Sequence, residues 1–391
     1  MKKTIYPILL ITGLLFVTSC KPEAESWFDH SVKVATSQLT MQVEEMGDVV
    51  GFPRSIRADT LRLDNIYDWT SGFFPGSLWY IYELTNDPFF REQAEKFTGY
   101  LHDIRYYAGT HDLGFMIYCS YGNQWRLTRD TTAIPVMVET ADNLISRFNE
   151  TTGTIRSWDF GEWQFPVIVD NMMNLELLFW ATEQTGDPKY WDVAVKHANT
   201  TLDHHFRDDM SSYHVVNYDT ITGEVIKKET FQGYSDESHW ARGQAWGLYG
   251  YTVCYRFTQD ERYLEAAQKI AHFIMSHVHT DDLVPYWDYM APDIPDAPRD
   301  ASAAAVTCSA LLELSTYDTP ESAAYYEYAE TILKNLSSDA YLSEEGENFG
   351  FVLMHSVGHL PANSEIDTPI NYTDYYYLES LKRYKVYPSI Q

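Results

Sequence analysis

Along most of the chain, apolar residues recur every three or four positions. Tyr263, Ala266, Ala267, Ile270 and Phe273 are one such run. This is the period of a helix with one buried face, whereas period-two alternation is scarce. Four segments repeat a common pattern around Thr85-Asn-Asp87, Thr185-Gly-Asp187, Thr258-Gln-Asp260 and, more weakly, Thr316-Tyr-Asp318. Each reads as helix, Thr-x-Asp turn, helix. The Asp or Thr can accept hydrogen bonds from the free N–H groups that open the next helix, and the Pro in Asp87-Pro88 and Asp187-Pro188 suits a first helical turn. Successive Thr residues lie 100, 73 and 58 positions apart. A solenoid would keep a fixed period. Irregular hairpins joined by long loops rich in Gly, Pro and Trp instead predict an all-α closed toroid, with the loops at one end building a site.

The N-terminus reads as an address. Lys2 and Lys3 precede an apolar run from Ile5 to Val17, too short to cross a bilayer comfortably. It ends in Val17-Thr18-Ser19-Cys20, which resembles a bacterial lipobox. We therefore expect a lipoprotein signal peptide over 1–20, a lipid on Cys20, a tether over 21–27 and a single domain over 28–391. The expected location is the cell envelope of a Gram-negative bacterium, as a periplasmic or outer-membrane lipoprotein. The remaining cysteines, Cys119, Cys254 and Cys308, lie far apart in apolar surroundings. They form neither a disulfide framework nor a zinc pattern and read as buried free thiols.

Composition narrows the function. The net charge is −28, and removing residues 1–20 takes away two lysines and no acid, leaving 26 basic against 56 acidic residues. That balance argues against nucleic acid as a partner and against docking on anionic lipid through a basic face. Membrane contact is then expected only through the Cys20 anchor, and the chain is expected to be a monomer. Aromatic residues make up 15% of the chain. They fit either an aromatic-rich core or a cleft of flat side chains for sugar rings.

Three segments could carry chemistry. Asp112 sits beside a Gly-rich turn in His111-Asp112-Leu-Gly114-Phe115, where it could equally close an Asx-turn. Asp170 follows an apolar run and opens an amphipathic helix, where it could be an N-cap. Apolar neighbours such as Val167, Ile168, Val169 and Met172 would raise its pKa and keep it protonated near neutral pH, as an acid catalyst needs. Arg242 and Trp246, four residues apart on a helix, share a face. Together they suit a carboxylated sugar, the guanidinium pairing with the carboxylate and the indole stacking on the ring. Alternatively, Arg242 is a buried bridge between helices. The histidines lack a ligand spacing, so no metal is expected. There is no phosphate-cradling loop and no Gly-x-Ser-x-Gly elbow.

Five motifs in order resemble glycoside hydrolase family 88, the unsaturated glucuronyl hydrolases. They are Asp68-Trp69-Thr-Ser-Gly72-Phe-Phe-Pro75-Gly76, His111-Asp112-Leu-Gly114-Phe115, Asp170-Asn-Met-Met-Asn174-Leu, Trp240-Ala-Arg242-Gly243-Gln244-Ala-Trp246 and Asp374-Tyr-Tyr-Tyr-Leu-Glu379. The resemblance covers nearly all of the mature chain and implies an (α/α)6 barrel. It implies removal of a 4,5-unsaturated uronic acid from lyase-generated glycosaminoglycan oligosaccharides, with no cofactor. By the same resemblance Asp170 protonates C4 and helps water add at C5, and Asp112 is the second essential carboxylate. His111, His214, Gln232, Arg242 and Trp246 match pocket positions, and Trp69 and Trp158 supply aromatic walls. Sulfate tolerance in the family is tied to a C-terminal loop, here around His355–Glu365, to which no sulfate contact is assigned. Two alternatives stay open: a family 105-like unsaturated rhamnogalacturonyl hydrolase, and a non-catalytic glycan-binding lipoprotein.

Overall fold

The computed structural model describes Met1 and residues 25–387; Cys20 and the signal segment lie outside the described residues. Thirteen α-helices run in chain order among these residues. They are α1 (Trp27–Met46), α2 (Phe73–Thr85), α3 (Pro88–Tyr100), α4 (Leu113–Ile117), α5 (Asn123–Thr128), α6 (Ala133–Ile145), α7 (Leu175–Thr185), α8 (Pro188–His204), α9 (Ala241–Thr258), α10 (Glu261–His277), α11 (Ala301–Leu314), α12 (Ser322–Leu336) and α13 (Asn371–Val386). Ser26 caps α1 by accepting from the Asp29 N–H, so the helix opens one residue inside the stretch expected to be a tether.

An inner ring is formed by α2, the α4–α5 segment, α7, α9, α11 and α13, each packed on the next, with α13 returning to α2. The alternate helices α1, α3, α6, α8, α10 and α12 lie outside them. Six outer–inner hairpins thus close an α/α toroid. The sequence shows the two layers. Outer α10 buries one stripe, including Tyr263, Ala266, Ala267, Ile270 and Phe273. Inner α9 is buried continuously from Ala241 to Tyr255 and inner α11 along its whole length. A helix buried on all sides must be apolar or small-residue around its circumference, as the alanine-rich start of α11 is.

The Thr-x-Asp turns connect inner to outer helices at one end of the barrel. In three of them a left-handed residue ends the inner helix: Asn86, Gly186 or Gln259. The Thr hydroxyl then accepts from the Asp N–H at 3.1–3.2 Å. The Asp carboxylate caps the outer helix by accepting from Phe89, Lys189 or Arg262 N–H. The fourth turn departs from this. Asp318 caps nothing, and α12 begins at Ser322 behind a turn in which Thr319 N–H donates to the Ser322 hydroxyl.

The long outer-to-inner connections all fall at the other end, where short antiparallel sheets stiffen them. These pair β1 (Phe52–Arg57) with β2 (Thr60–Asp64) and β3 (Phe148–Asn149) with β4 (Thr154–Ile155). A three-stranded sheet has the order β5 (Pro166–Ile168), β6 (Val215–Tyr218), β7 (Val225–Glu229), and β8 (Ser356–His359) pairs with β9 (Ser364–Thr368). Cys119, Cys254 and Cys308 are buried free thiols.

Candidate active site

A cavity of about 600 Å³ opens at the end where the inner helices begin, a size ordinary for small-molecule sites. Trp69, His111, Asp112, Trp158, Asp170, Gln232 and Arg242 all line it. They come from loops and a helix start spread over most of the chain and meet only because these share one rim.

Asp170 lies at the floor. β5 delivers the chain into a fully buried 3₁₀ turn, Val169–Asn174. That turn is anchored by Val169 N–H to the His214 carbonyl, by Asn171 to the Ile155 carbonyl, and by Phe115 N–H to Asn174 Oδ1. The last bond ties the Asp170 turn to the helix that follows Asp112. Gly114 allows the approach, because a Cβ there would lie 2.6 Å from the Asn174 Cα. Asp170 therefore does not cap a helix, and its Oδ2 has no hydrogen-bond partner in the protein. Burial raises its pKa to about 7, with the Arg242 charge pulling down and the Asp112 charge pushing up. The Trp246 indole also favours the anion slightly, although its N–H stays outside hydrogen-bonding geometry.

Asp112 precedes α4 without capping it. Its Oδ2 accepts from the Thr110 hydroxyl at 2.5 Å and its Oδ1 faces His111 Nε2 at 3.2 Å. Burial pushes the His111 pKa down, toward the neutral ring.

His214 was expected in the pocket wall, but the structure places it behind Asp170, almost wholly buried. Its Nδ1 accepts from both Phe231 and Gln232 N–H, at 3.0 and 3.1 Å. The proton of the neutral ring must then sit on Nε2, which faces Asp170 Oδ2 at 3.7 Å. Burial drives the His214 pKa well down, in agreement. The ring is therefore a neutral donor behind the acid and reaches substrate only through it. The same two N–H groups position Gln232, whose side chain reaches the Gly358 carbonyl at 3.3 Å.

Two further expectations change. Arg242 lines the cavity, but the ends of its guanidinium are already engaged. Nη1 meets Asp300 at 3.1 Å and the Val357 carbonyl, and Nη2 meets the Gly358 carbonyl at 2.7 Å. The group lies over the Trp240 ring at 4.5 Å. Arg242 is thus a bridge between α9 and the β8 loop, and only Nε stays without a partner. The Nη1 end is committed to the bridge, which leaves Nε and the second Nη2 proton for a substrate carboxylate. Trp246 does share its face of α9, but that face continues into the barrel core. The indole is fully buried against Phe115 and Tyr376 and lies outside the cavity lining, so it cannot stack on a sugar.

The structure adds residues that the sequence did not single out. Arg54 on β1 and Arg62 on β2 both donate to Glu365 on β9, at 2.7 and 3.0 Å, and Arg54 also pairs with Asp68 at 2.6 Å. Tyr67, Tyr107, Phe160, Phe231, His359 and Tyr372 complete the wall. No local pattern marks these positions, because Arg54 and Glu365 are 311 residues apart. Among the described residues, no group of three His, Cys, Asp or Glu could hold a metal ion.

Asp374 is a useful contrast. Burial also raises its pKa to about 7, yet both its oxygens accept backbone N–H groups, from Val352 and Leu353. It does not line the cavity. A perturbed pKa marks both aspartates, but only Asp170 lines the cavity.

A buried carboxyl raised to about 7 beside a second carboxylate, walled by indoles at one end of an α/α toroid, defines a glycan-cleaving acid–base enzyme. Comparison with known proteins gives the family. The model of Glycosyl Hydrolase Family 88 matches residues 47–389. The chain is 46% identical to an unsaturated glucuronyl hydrolase of Formosa agariphila, over 98% of both chains. It is 34% identical to an unsaturated chondroitin disaccharide hydrolase of Streptococcus agalactiae, over 91% of each. It superposes with a TM-score of 0.90 on the crystal structure of an unsaturated glucuronyl hydrolase specific for heparin, at 53% identity, covering 92% of this chain and 97% of that one. The chain belongs to Glycosyl Hydrolase Family 88 and is a hydrolase, as its five motifs indicated.

Proposed function

We propose that this enzyme removes a 4,5-unsaturated uronic acid from the non-reducing end of lyase-generated glycosaminoglycan oligosaccharides. The observation that carries the reading is Asp170: a carboxyl that lines the cavity, is almost wholly buried and is raised to about 7. The relatives named above support the substrate class.

The C4=C5 bond of such a uronate is a vinyl ether. The Asp170 carboxyl gives its proton to C4, and positive charge develops at C5 and the ring oxygen. Water adds at C5 and returns a proton to the Asp170 carboxylate, which is thereby ready for another turnover. The C5 hemiketal opens to a ketone, and the hemiacetal left at C1 collapses to release the shortened sugar. Asp112 stabilises the charge that develops and orients ring hydroxyls, with His111 and Thr110 holding it in place. His214, fixed as an Nε2–H tautomer, steadies the Asp170 anion formed midway. An acid is most effective when its pKa lies near the working pH, and burial supplies that here.

The chain is acidic, yet the site can take an anion. The N-terminal ends of the inner helices converge on the cavity, and helix N-termini favour negative charge. Trp158 and Arg242 line the cavity, and Trp158 Nε1 and Arg242 Nε have no acceptor among the described residues. Repulsion from the distant surface is screened beyond about 8 Å at physiological salt.

The test is to incubate the protein with lyase-made disaccharides and follow the ultraviolet absorbance of the double bond. Loss is expected on glycosaminoglycan products. No loss on chondroitin, hyaluronan or heparin disaccharides overturns the reading, and turnover on rhamnogalacturonan products alone replaces it with the family 105-type specificity. The Val17–Cys20 pattern further supports attachment to the Gram-negative envelope through Cys20. Labelling with a fatty acid that Cys20→Ala abolishes is the expected result, and undiminished labelling contradicts it.

A further inference from the structure

Two large rings stand half in solvent at the cavity mouth: Tyr67 and Phe160, 53% and 54% exposed. Phe160 lies flat on Trp158, with centroids 5.0 Å apart and planes 14° apart. Trp158 is itself buried and lines the cavity beside the two acids. Two near-parallel rings therefore step outward from the catalytic floor, and the outer one is half exposed.

Neighbouring contacts hold these rings in place. Asp159, next to Phe160, pairs with Arg147 at 2.9 Å and with Arg156 at 3.2 Å. Arg147 also donates to the Ala108 carbonyl at 2.7 Å, tying the Phe160 loop to the Tyr107 loop. Tyr107 in turn packs edge-on against Tyr67, with centroids 5.1 Å apart. Trp163 stands edge-on to both Trp158 and Phe160 and donates its indole N–H to Glu229 at 2.8 Å. One arginine thus braces both aromatic loops. A rigid apolar ring left half in water forgoes burial, and an ordered platform of this kind lowers the entropic cost of ligand binding.

We propose that Phe160 and Tyr67 form a stacking platform for sugars beyond the first linkage, so that the enzyme favours longer lyase products over disaccharides. The occupant is the apolar C–H face of a pyranose downstream of the uronate. The platform residues line the same cavity as the two acids, so the reducing end of an oligosaccharide leaving the buried floor can reach them. Stacking reads the ring face and not its charged substituents, so the platform tolerates varied sulfation. The proposal rests on the glucuronyl hydrolase reading above.

The test compares kcat/KM on a lyase-made tetrasaccharide and the matching disaccharide. The wild-type ratio should exceed one, and Phe160→Ala should lower that ratio about three- to ten-fold, the range of a single aromatic stacking contact. Phe160→Tyr should restore it. A ratio unchanged by Phe160→Ala, including an equal fall on both substrates from a merely structural role, overturns the proposal. Calorimetric titration of the tetrasaccharide into Asp170→Asn, with and without Phe160→Ala, gives a second readout that does not need turnover. Inactivity of the wild type would then defeat the reaction assigned above, while a weaker tetrasaccharide affinity in the double variant would still support the platform. If Phe160→Ala instead dissolves a dimer in sedimentation velocity and leaves tetrasaccharide affinity unchanged, the ring belongs to a second copy of the chain and the proposal fails.

Discussion

At the end of the barrel where the inner helices finish, three turns are near copies of one another. Each is closed by a left-handed residue, a Thr hydroxyl and an Asp cap within a few positions of sequence. At the end where the inner helices begin, the loops differ from one another, and their bonds reach far along the chain. Arg242 on α9 holds β8 carbonyls more than a hundred residues away, and Arg54 holds Glu365 across 311. The first end is stabilised turn by turn and can be altered piecemeal. The second is one network in which the acid, its neighbours and the bridge share supports. The difference teaches that repetition marks scaffold in this molecule, and long-range irregularity marks the site.

Substitutions at the two ends should separate accordingly. The largest effect is expected from Asp170→Asn, which keeps the shape and removes the transferable proton. kcat/KM on a lyase disaccharide should fall by about 10²–10⁴-fold, the usual contribution of a general acid. Thermal stability should not fall with it, and a variant that stays active would mean that the acid lies elsewhere. Arg242→Ala comes next. It leaves Asp300 buried without its partner, a change that typically costs about 3–5 kcal/mol. We expect a large drop in the denaturant midpoint together with activity, whereas intact stability with a raised KM would make Arg242 a substrate clamp and not a bridge.

The pH profile sharpens the contrast between Asp170 and Asp374. The proton-bearing form of Asp170 is the active one, so kcat/KM should decline as pH rises through about 7. Stability carries the same sign. A carboxyl held near 7 in the fold and near 3.9 when unfolded contributes stability that is complete below the unfolded value and lost as pH rises through the folded one. Wild-type protein should therefore lose more Tm between pH 6 and pH 8 than Asp170→Asn does. Asp374→Asn should also reduce this pH sensitivity while costing about 1–3 kcal/mol, because one of two buried N–H groups loses its acceptor. Equal pH sensitivity in all three proteins would remove burial as the cause of the shifts. The smallest effect belongs to the repeated end: Asp187→Ala removes one cap and should cost about 1 kcal/mol, with kcat and KM unchanged. A change in KM would mean that the two ends are coupled.

Legibility in the sequence follows the same division. The helices, the hairpin pairing and the Thr-x-Asp caps were readable because their causes lie within a few residues. Asp170 was readable in part, since the apolar run before it announced burial, although its free oxygen could not be foreseen. The Arg54–Glu365–Arg62 cluster was invisible because nothing local links a β1 arginine to a β9 glutamate. Glu365 also adopts a left-handed backbone, φ 55°, that no turn signature announced. Trp246 shows the limit of helical-face reasoning. The four-residue step from Arg242 does put both on one face, but an inner helix is buried all round, and the step does not say which part of that face meets the cavity. His214 was placed in the pocket by resemblance, and only its hydrogen bonds show that it stands behind the acid.

The central claim is that the Asp170 proton goes to C4. The most direct measurement follows a single turnover in deuterium oxide by NMR while recording the double-bond absorbance. The account predicts that absorbance disappears in step with release of the shortened sugar, and that the product carries one deuterium at C4 in a single configuration. Release of a free unsaturated uronic acid with its absorbance intact, followed by slow, non-stereospecific deuterium uptake, would contradict it.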